Sequence, residues 1–115
     1  MSVTLLKAES GPENAAISDG WTVVEGTPSM SSWIEYRAPD LTVVAGTWRA
    51  TPGVFRAEYK FFEYVYMIDG IIEITPDGGE TVLVGPGDVF TVDADFKGLW
   101  KIVEPVHKRF LLKLK

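Results

Sequence analysis

Between positions 53 and 67 apolar and polar residues alternate. Phe55, Ala57, Tyr59 and Phe61 occupy odd positions, with Arg56, Glu58 and Lys60 between them. Strand side chains point to opposite faces with a period of two, so the odd set faces an interior and the charges face water. The odd register continues through Glu63, Val65 and Met67, which sets one carboxylate in a row of apolar and aromatic side chains. A carboxylate is costly to bury unless something pairs with it or hydrogen-bonds it. What Glu63 meets is the first question this sequence raises.

Elsewhere the pattern is one of short strands between breakers. Strands are expected at 21–25, 33–37, 41–49, 54–61, 63–68, 71–75, 80–84, 88–92, 98–103 and 106–112. Thr51-Pro52-Gly53, Pro76-Asp77-Gly78-Gly79 and Gly85-Pro86-Gly87-Asp88 are turn sequences. Asp69-Gly70 suits a tight hairpin, because glycine accepts positive φ. Evenly spaced strands of this kind predict an all-β antiparallel sandwich or barrel over residues 21–115. Residues 1–20 hold a short apolar patch at 3–6 and then Gly11, Pro12 and Gly20, and read as an arm or an edge or exchanged strand followed by a loop.

Composition narrows the classes. A chain of 115 residues makes one domain, and 46% hydrophobic with 23% charged residues excludes disorder as the main reading. A net charge of −5 with no Lys/Arg cluster speaks against a nucleic-acid partner. No run approaches the roughly 18 apolar residues of a membrane helix. The N-terminus lacks a secretory pattern, so a cytoplasmic location is expected. The absence of cysteine removes disulfides, thiolate zinc sites and thiol nucleophiles. His107 is the single histidine, so a metal site of two or three imidazoles within one chain is impossible, leaving only a carboxylate-rich or intersubunit one.

Several motifs carry a resemblance over residues 48–108. Gly53 opens the first; Glu63, six residues and Gly70 (EYVYMIDG) close it; PDGGE follows; and Gly87-Asp88-Val89-Phe90 opens a second. In this order and spacing they resemble the two motifs of the cupins. TWRATPGVFR, FEYVYMIDG and GPGDVFTVDADFKGLWKIVEPVHK are more narrowly similar to the cupin_3 (DUF861) branch, named for its likeness to the ureidoglycine aminohydrolase cupin domain. Phe96, Gly98 and Trp100 match that branch's aromatic-x-Gly-x-Trp run, and Glu104 and Lys108 stand where it often has an acid and a lysine. The resemblance implies a small antiparallel cupin β-barrel, or jelly roll, commonly dimeric. It also implies a metal centre that this chain does not keep. The family's histidine positions fall on Ala57, Tyr59 and Gly98, and only Glu63 retains a ligand. A metal-free domain without a cofactor is expected.

Glu63 is then the candidate catalytic residue, a general base or an anchor for an amine-bearing ligand, or else a structural carboxylate tied to Tyr59, Lys108 or backbone. Trp48, Tyr59, Phe61, Phe96 and Trp100 are candidate ligand-binding walls with the Tyr59 hydroxyl as a polar handle, and equally suit dense core filling. On the last strand Val106, Lys108, Phe110 and Leu112 share one side. That register turns Lys108 inward as a further binding residue and leaves His107 on the surface. Tyr64, Tyr66 and Ile68 need cover from the chain's own N-terminal strands or from a second subunit, the latter giving a homodimer. Two functions follow. One is a metal-free cupin binding a small polar, nitrogen-bearing metabolite inside its barrel, with acid–base chemistry at Glu63. The other is a non-catalytic structural or regulatory domain whose aromatics fill the barrel and which acts through its partner surface.

Overall fold

The computed structural model describes residues 2–115. These form β1 (Trp21–Glu25), β2 (Met30–Arg37), β3 (Val43–Ala50), β4 (Gly53–Glu58), β5 (Phe62–Pro76), β6 (Val82–Val84), β7 (Val89–Val92) and β8 (Lys97–Lys113). Every pairing is antiparallel. No helix occurs among the described residues. The all-β expectation holds, and the strands form one curled antiparallel sheet.

Two long strands do the folding. The second half of β8 pairs with β3 and with the first half of β5, while its first half pairs with β4 and the second half of β5. With β2 and β7 added to one set and β1 and β6 to the other, the sheet divides into two facing halves. One runs β2-β3-β8-β5-β7 and the other β1-β4-β8-β5-β6. Core residues come from both: Trp48, Val65, Met67 and Phe110 from the first, Phe55, Ile72, Trp100 and Ile102 from the second.

The corner between the halves corrects one expectation. Asp69-Gly70 is not a hairpin, and 63–68 and 71–75 are one strand. The ladder to β8 slips between Met67 and Asp69, between Asp69 and Ile71, and again at Ile72. The inward residues are odd up to Met67 and even from Gly70 through Ile72 and Ile74. A bulge that inserts an unpaired residue has this effect, because side chains alternate with period two. Across the corner Pro105 sits in mid-β8, so the expected strands 98–103 and 106–112 are likewise one. Gly70 (φ 97°) is packed so closely on the Pro105 carbonyl that a Cβ there has no room.

Residues 2–20 contain no strand, contrary to one reading of the 3–6 patch; only Asn14 bridges, to Ser32. They form an arm over the outer side of β2 and β3. The Glu9 amide donates to Glu35 Oε2 at 2.7 Å, and Thr47 Oγ1 donates to the same oxygen at 2.6 Å. The Glu9 carboxylate pairs with Arg49 and lies 3.2 Å from His107 Nε2. His107 is therefore not a surface histidine: the arm covers it, and burial, helped by the Arg49 charge, lowers its pKa. These contacts leave Tyr64 and Tyr66 uncovered, 46% and 45% exposed.

The corner yields a prediction. Gly70→Ala combines an unfavourable φ with a backbone clash, and is expected to cost about 1–3 kcal/mol. The urea midpoint should fall with an unchanged slope. Gly78→Ala, in a turn with similar φ (71°) but open space around it, should lose less.

Candidate ligand-binding site

Glu63 and Lys108 lie on the inner face of the β5–β8 ladder. Glu63 pairs with Leu112 and Met67 with Lys108, so four residues of strand separate the two levels. At about 3.3 Å per residue that is about 13 Å, a gap two long side chains can close only by lying along the sheet toward each other. They do so: Lys108 Nζ donates to Glu63 Oε2 at 2.9 Å. Lys108 is 2% exposed and Glu63 5%, the two charged residues of the core. The other carboxylate oxygen is taken by Tyr59, which precedes β5 at the 59–61 bend. Its hydroxyl donates to Glu63 Oε1 at 2.6 Å.

An aromatic box surrounds the lysine. Trp48 is its cross-strand neighbour on β3, and the ammonium lies 4.5 Å from that ring's centroid and 4.8 Å from Trp100's. Ring faces carry negative potential, so both contacts offset part of the cost of burying a cation. Burial still lowers the Lys108 pKa, opposed by the charge and hydrogen bond of Glu63. Burial raises the Tyr59 pKa well above 10.0, and the Glu63 charge raises it further, so the phenol stays protonated and serves as donor. Trp100 Nε1 is buried without an acceptor.

A cavity of about 400 Å³ reaches this group from the side where β1 and β2 form the edges of the two halves. Trp48, Tyr59, Phe61, Glu63 and Lys108, all expected from the sequence, line it. Phe61 is 41% exposed, however, because the chain bends after β4 and moves it from the interior to the mouth. Trp100 and Phe96 are not cavity walls but backing. Trp100 is fully buried and stacks on Tyr59 at 6.2 Å, and Phe96 meets Tyr59 edge-on at 5.5 Å. Phe96 instead lines a second cavity of about 520 Å³ near β6 and β7, which contains neither Glu63 nor Lys108.

Sequence reasoning missed Trp21, which lines the main cavity and packs on Trp48, Phe55, Tyr59 and Trp100. Its position at the head of the first regular strand was a signal for the core and not for the site. Ser18 and Asp19 at the mouth had no signal, since the arm's path sets them. Phe110 and Leu112 follow from the Lys108 register.

The residues present do not fit the metal centre of the wider fold. Both Glu63 oxygens are engaged, and an ammonium stands beside the only retained ligand. At Gly98 any Cβ would strike the Thr75 carbonyl and come within 2.9 Å of Pro76 Cα, so a ligand side chain has no space there. Among the described residues no group of three His, Cys, Asp or Glu could hold an ion.

Two facing half-sheets joined through β5 and β8, with a site at one mouth, define a small cupin. The chain belongs to the EutQ-like cupin domain family, whose model matches residues 37–110. It is similar in structure to the Clostridium difficile EutQ protein, with 15% identity, coverage of 76% of this chain and 69% of that one, and a TM-score of 0.66. A DUF861 family protein from Thermotoga maritima is 28% identical over 56% of this chain and 73% of its own, with a TM-score of 0.55. KdgF from Halomonas sp. is 14% identical, covering 97% and 95% of the two chains, at a TM-score of 0.66. No curated protein matches the sequence.

Two predictions follow from the buried pair. Glu63→Ala leaves an uncompensated buried ammonium, and is expected to cost about 3–5 kcal/mol in urea unfolding. Glu63→Leu combined with Lys108→Met should be more stable than either single variant, since the double change removes both desolvation costs together. The second concerns alkaline pH. The folded chain holds the Tyr59 proton more tightly than the unfolded one, so that contribution is whole below about pH 10.0 and is lost as pH climbs toward the folded value. Tyr59→Phe should flatten the decline in stability above pH 10, a difference that melts across the alkaline range read directly.

Proposed function

We propose that this cupin domain binds a small polar metabolite in the cavity beside Glu63, without a metal. One observation carries the reading. A charged pair and a phenol are held at the wall of a cavity of about 400 Å³ otherwise lined by aromatic and aliphatic groups. Small-molecule sites have this size and this mixture of apolar walls with few polar groups. Tyr59, Glu63 and Lys108 are the polar contacts, with Trp48 and Phe61 as walls. The resemblance to the ureidoglycine aminohydrolase cupin domain supports a nitrogen-bearing compound as ligand. It also supports acid–base chemistry, with Glu63 accepting the proton and Tyr59 or Lys108 returning one.

A specific surface supports the second reading, in which the domain acts through a partner. Tyr64, Tyr66 and Leu111 stand exposed on the outer face of β5 and β8. Aromatic residues are enriched where subunits meet, and a second copy of this chain is the proposed occupant.

Native mass spectrometry on protein purified without added metal or chelator addresses both. The expected result is a metal-free dimer that takes up one small molecule per chain from a metabolite library. Glu63→Gln should weaken that uptake by roughly ten-fold or more, the worth of a hydrogen bond to a charged group. Stoichiometric metal, or unchanged affinity in Glu63→Gln, overturns the binding reading. A monomer at micromolar concentration overturns the dimer.

A further inference from the structure

Hydrogen-bond arithmetic at the cavity wall specifies the ligand more closely. Glu63 suggested, from sequence alone, an anchor for a cation. Its charge is already answered by Lys108 at 2.9 Å, and its second oxygen by the Tyr59 hydroxyl. The unit is therefore charge-balanced and gives a cation no net attraction. A ligand carboxylate would leave two carboxylates against one ammonium in a buried place, which a low-dielectric environment penalises.

What the unit does have is surplus donors. A lysine ammonium has three N–H groups, and hydrogen bonds here account for one of them. Its other neighbours, Trp48 and Trp100, offer ring faces and no acceptor oxygen. Buried donors left unpaired are costly, so an incoming acceptor that adds no charge is favoured twice, by the hydrogen bond and by preserved neutrality.

We propose, resting on the binding reading above, that the site recognises an uncharged carbonyl group, an amide or a ketone, whose oxygen accepts from Lys108 while the ligand's apolar body lies against Trp21, Trp48 and Phe110. The Lys108 ammonium, held 2.9 Å from Glu63, draws electron density toward the carbonyl oxygen. Glu63 fixes the ammonium and keeps the unit neutral.

The test is a series that shares one body: benzamide, benzoate, benzylamine and toluene, titrated into the full chain by ligand-observed NMR. Benzamide is expected to bind most tightly, roughly ten-fold or more over toluene, because a site built to donate rejects an analogue lacking the acceptor. Its carbonyl stretch, isotope-edited in the infrared, should fall on binding. Lys108→Met should reduce benzamide to the affinity of toluene. If that variant does not fold, the infrared shift in the unmodified protein remains decisive, and an unshifted carbonyl overturns the proposal. Tighter binding of benzylamine or benzoate overturns the carbonyl assignment while leaving the cavity a binding site. Failure of all four, toluene included, overturns the binding reading together with this one.

Discussion

An ammonium 2% exposed inside a β-barrel is tolerable only if its surroundings supply what water did, and much of this molecule is arranged to supply it. Glu63 gives a counter-charge at 2.9 Å, and Trp48 and Trp100 give two ring faces. Tyr59 occupies the carboxylate oxygen that Lys108 does not reach. Each of these four comes from a different place in the chain: β3, the bend before β5, β5 itself and the first half of β8, with Lys108 in the second half. Glu63, Lys108 and Trp48 belong to one half of the sheet and Trp100 to the other, so the pair forms along one ladder and its aromatic cover is complete only when the halves face each other. A buried ion pair is weak evidence for stability, since apolar residues of similar volume often do as well. Its retention in a core otherwise almost free of charge is better explained by what it presents to the cavity.

The corner at Gly70 and Pro105 makes that geometry available. Without the bulge β5 would keep its odd residues inward throughout, which would turn Ile72 and Ile74 to water and Ile71, Glu73 and Thr75 inward. The slip in register lets one strand serve both halves with an apolar inner face in each. Pro105 cannot donate to a ladder, and it sits opposite that slip. The same strands that hold the core thus hold Glu63 and Lys108, while Tyr59 and Phe61 reach the site from the bend between β4 and β5.

Much of this was legible. The odd-position alternation through Glu63 and the shared face of Val106, Lys108 and Phe110 are period-two facts, and both are read in the structure as they are in the sequence. The cupin motifs carried the fold by their spacing. The corner was misread because Asp-Gly is a common hairpin signal and a bulge uses the same glycine conformation; the change from odd to even inward residues was present in the sequence but has two explanations. Phe61 was misplaced because alternation assumes a straight strand, and the chain bends after Glu58. Trp21 and the His107 cover depend on which strands become neighbours and on where the arm runs, and neither is encoded in local periodicity.

The loss of the family's histidines could be taken as the loss of a site, but the geometry argues for substitution of one chemistry by another. A barrel that merely discarded its metal would fill the space with apolar atoms, as Ala57 and Phe55 do nearby. Here a lysine is drawn along the sheet toward the one acid that remains, at the mouth of a cavity, and Gly98 is closed so tightly by Thr75 and Pro76 that a ligating side chain cannot return. A metal ion offers a strong field and open coordination positions; an ammonium offers a weaker field and three directional donors. A wall that presents the second favours groups that accept hydrogen bonds over groups that displace metal-bound water. The fold is shared with its structural neighbours, while the charged groups inside this barrel are two residues on separate levels of one ladder.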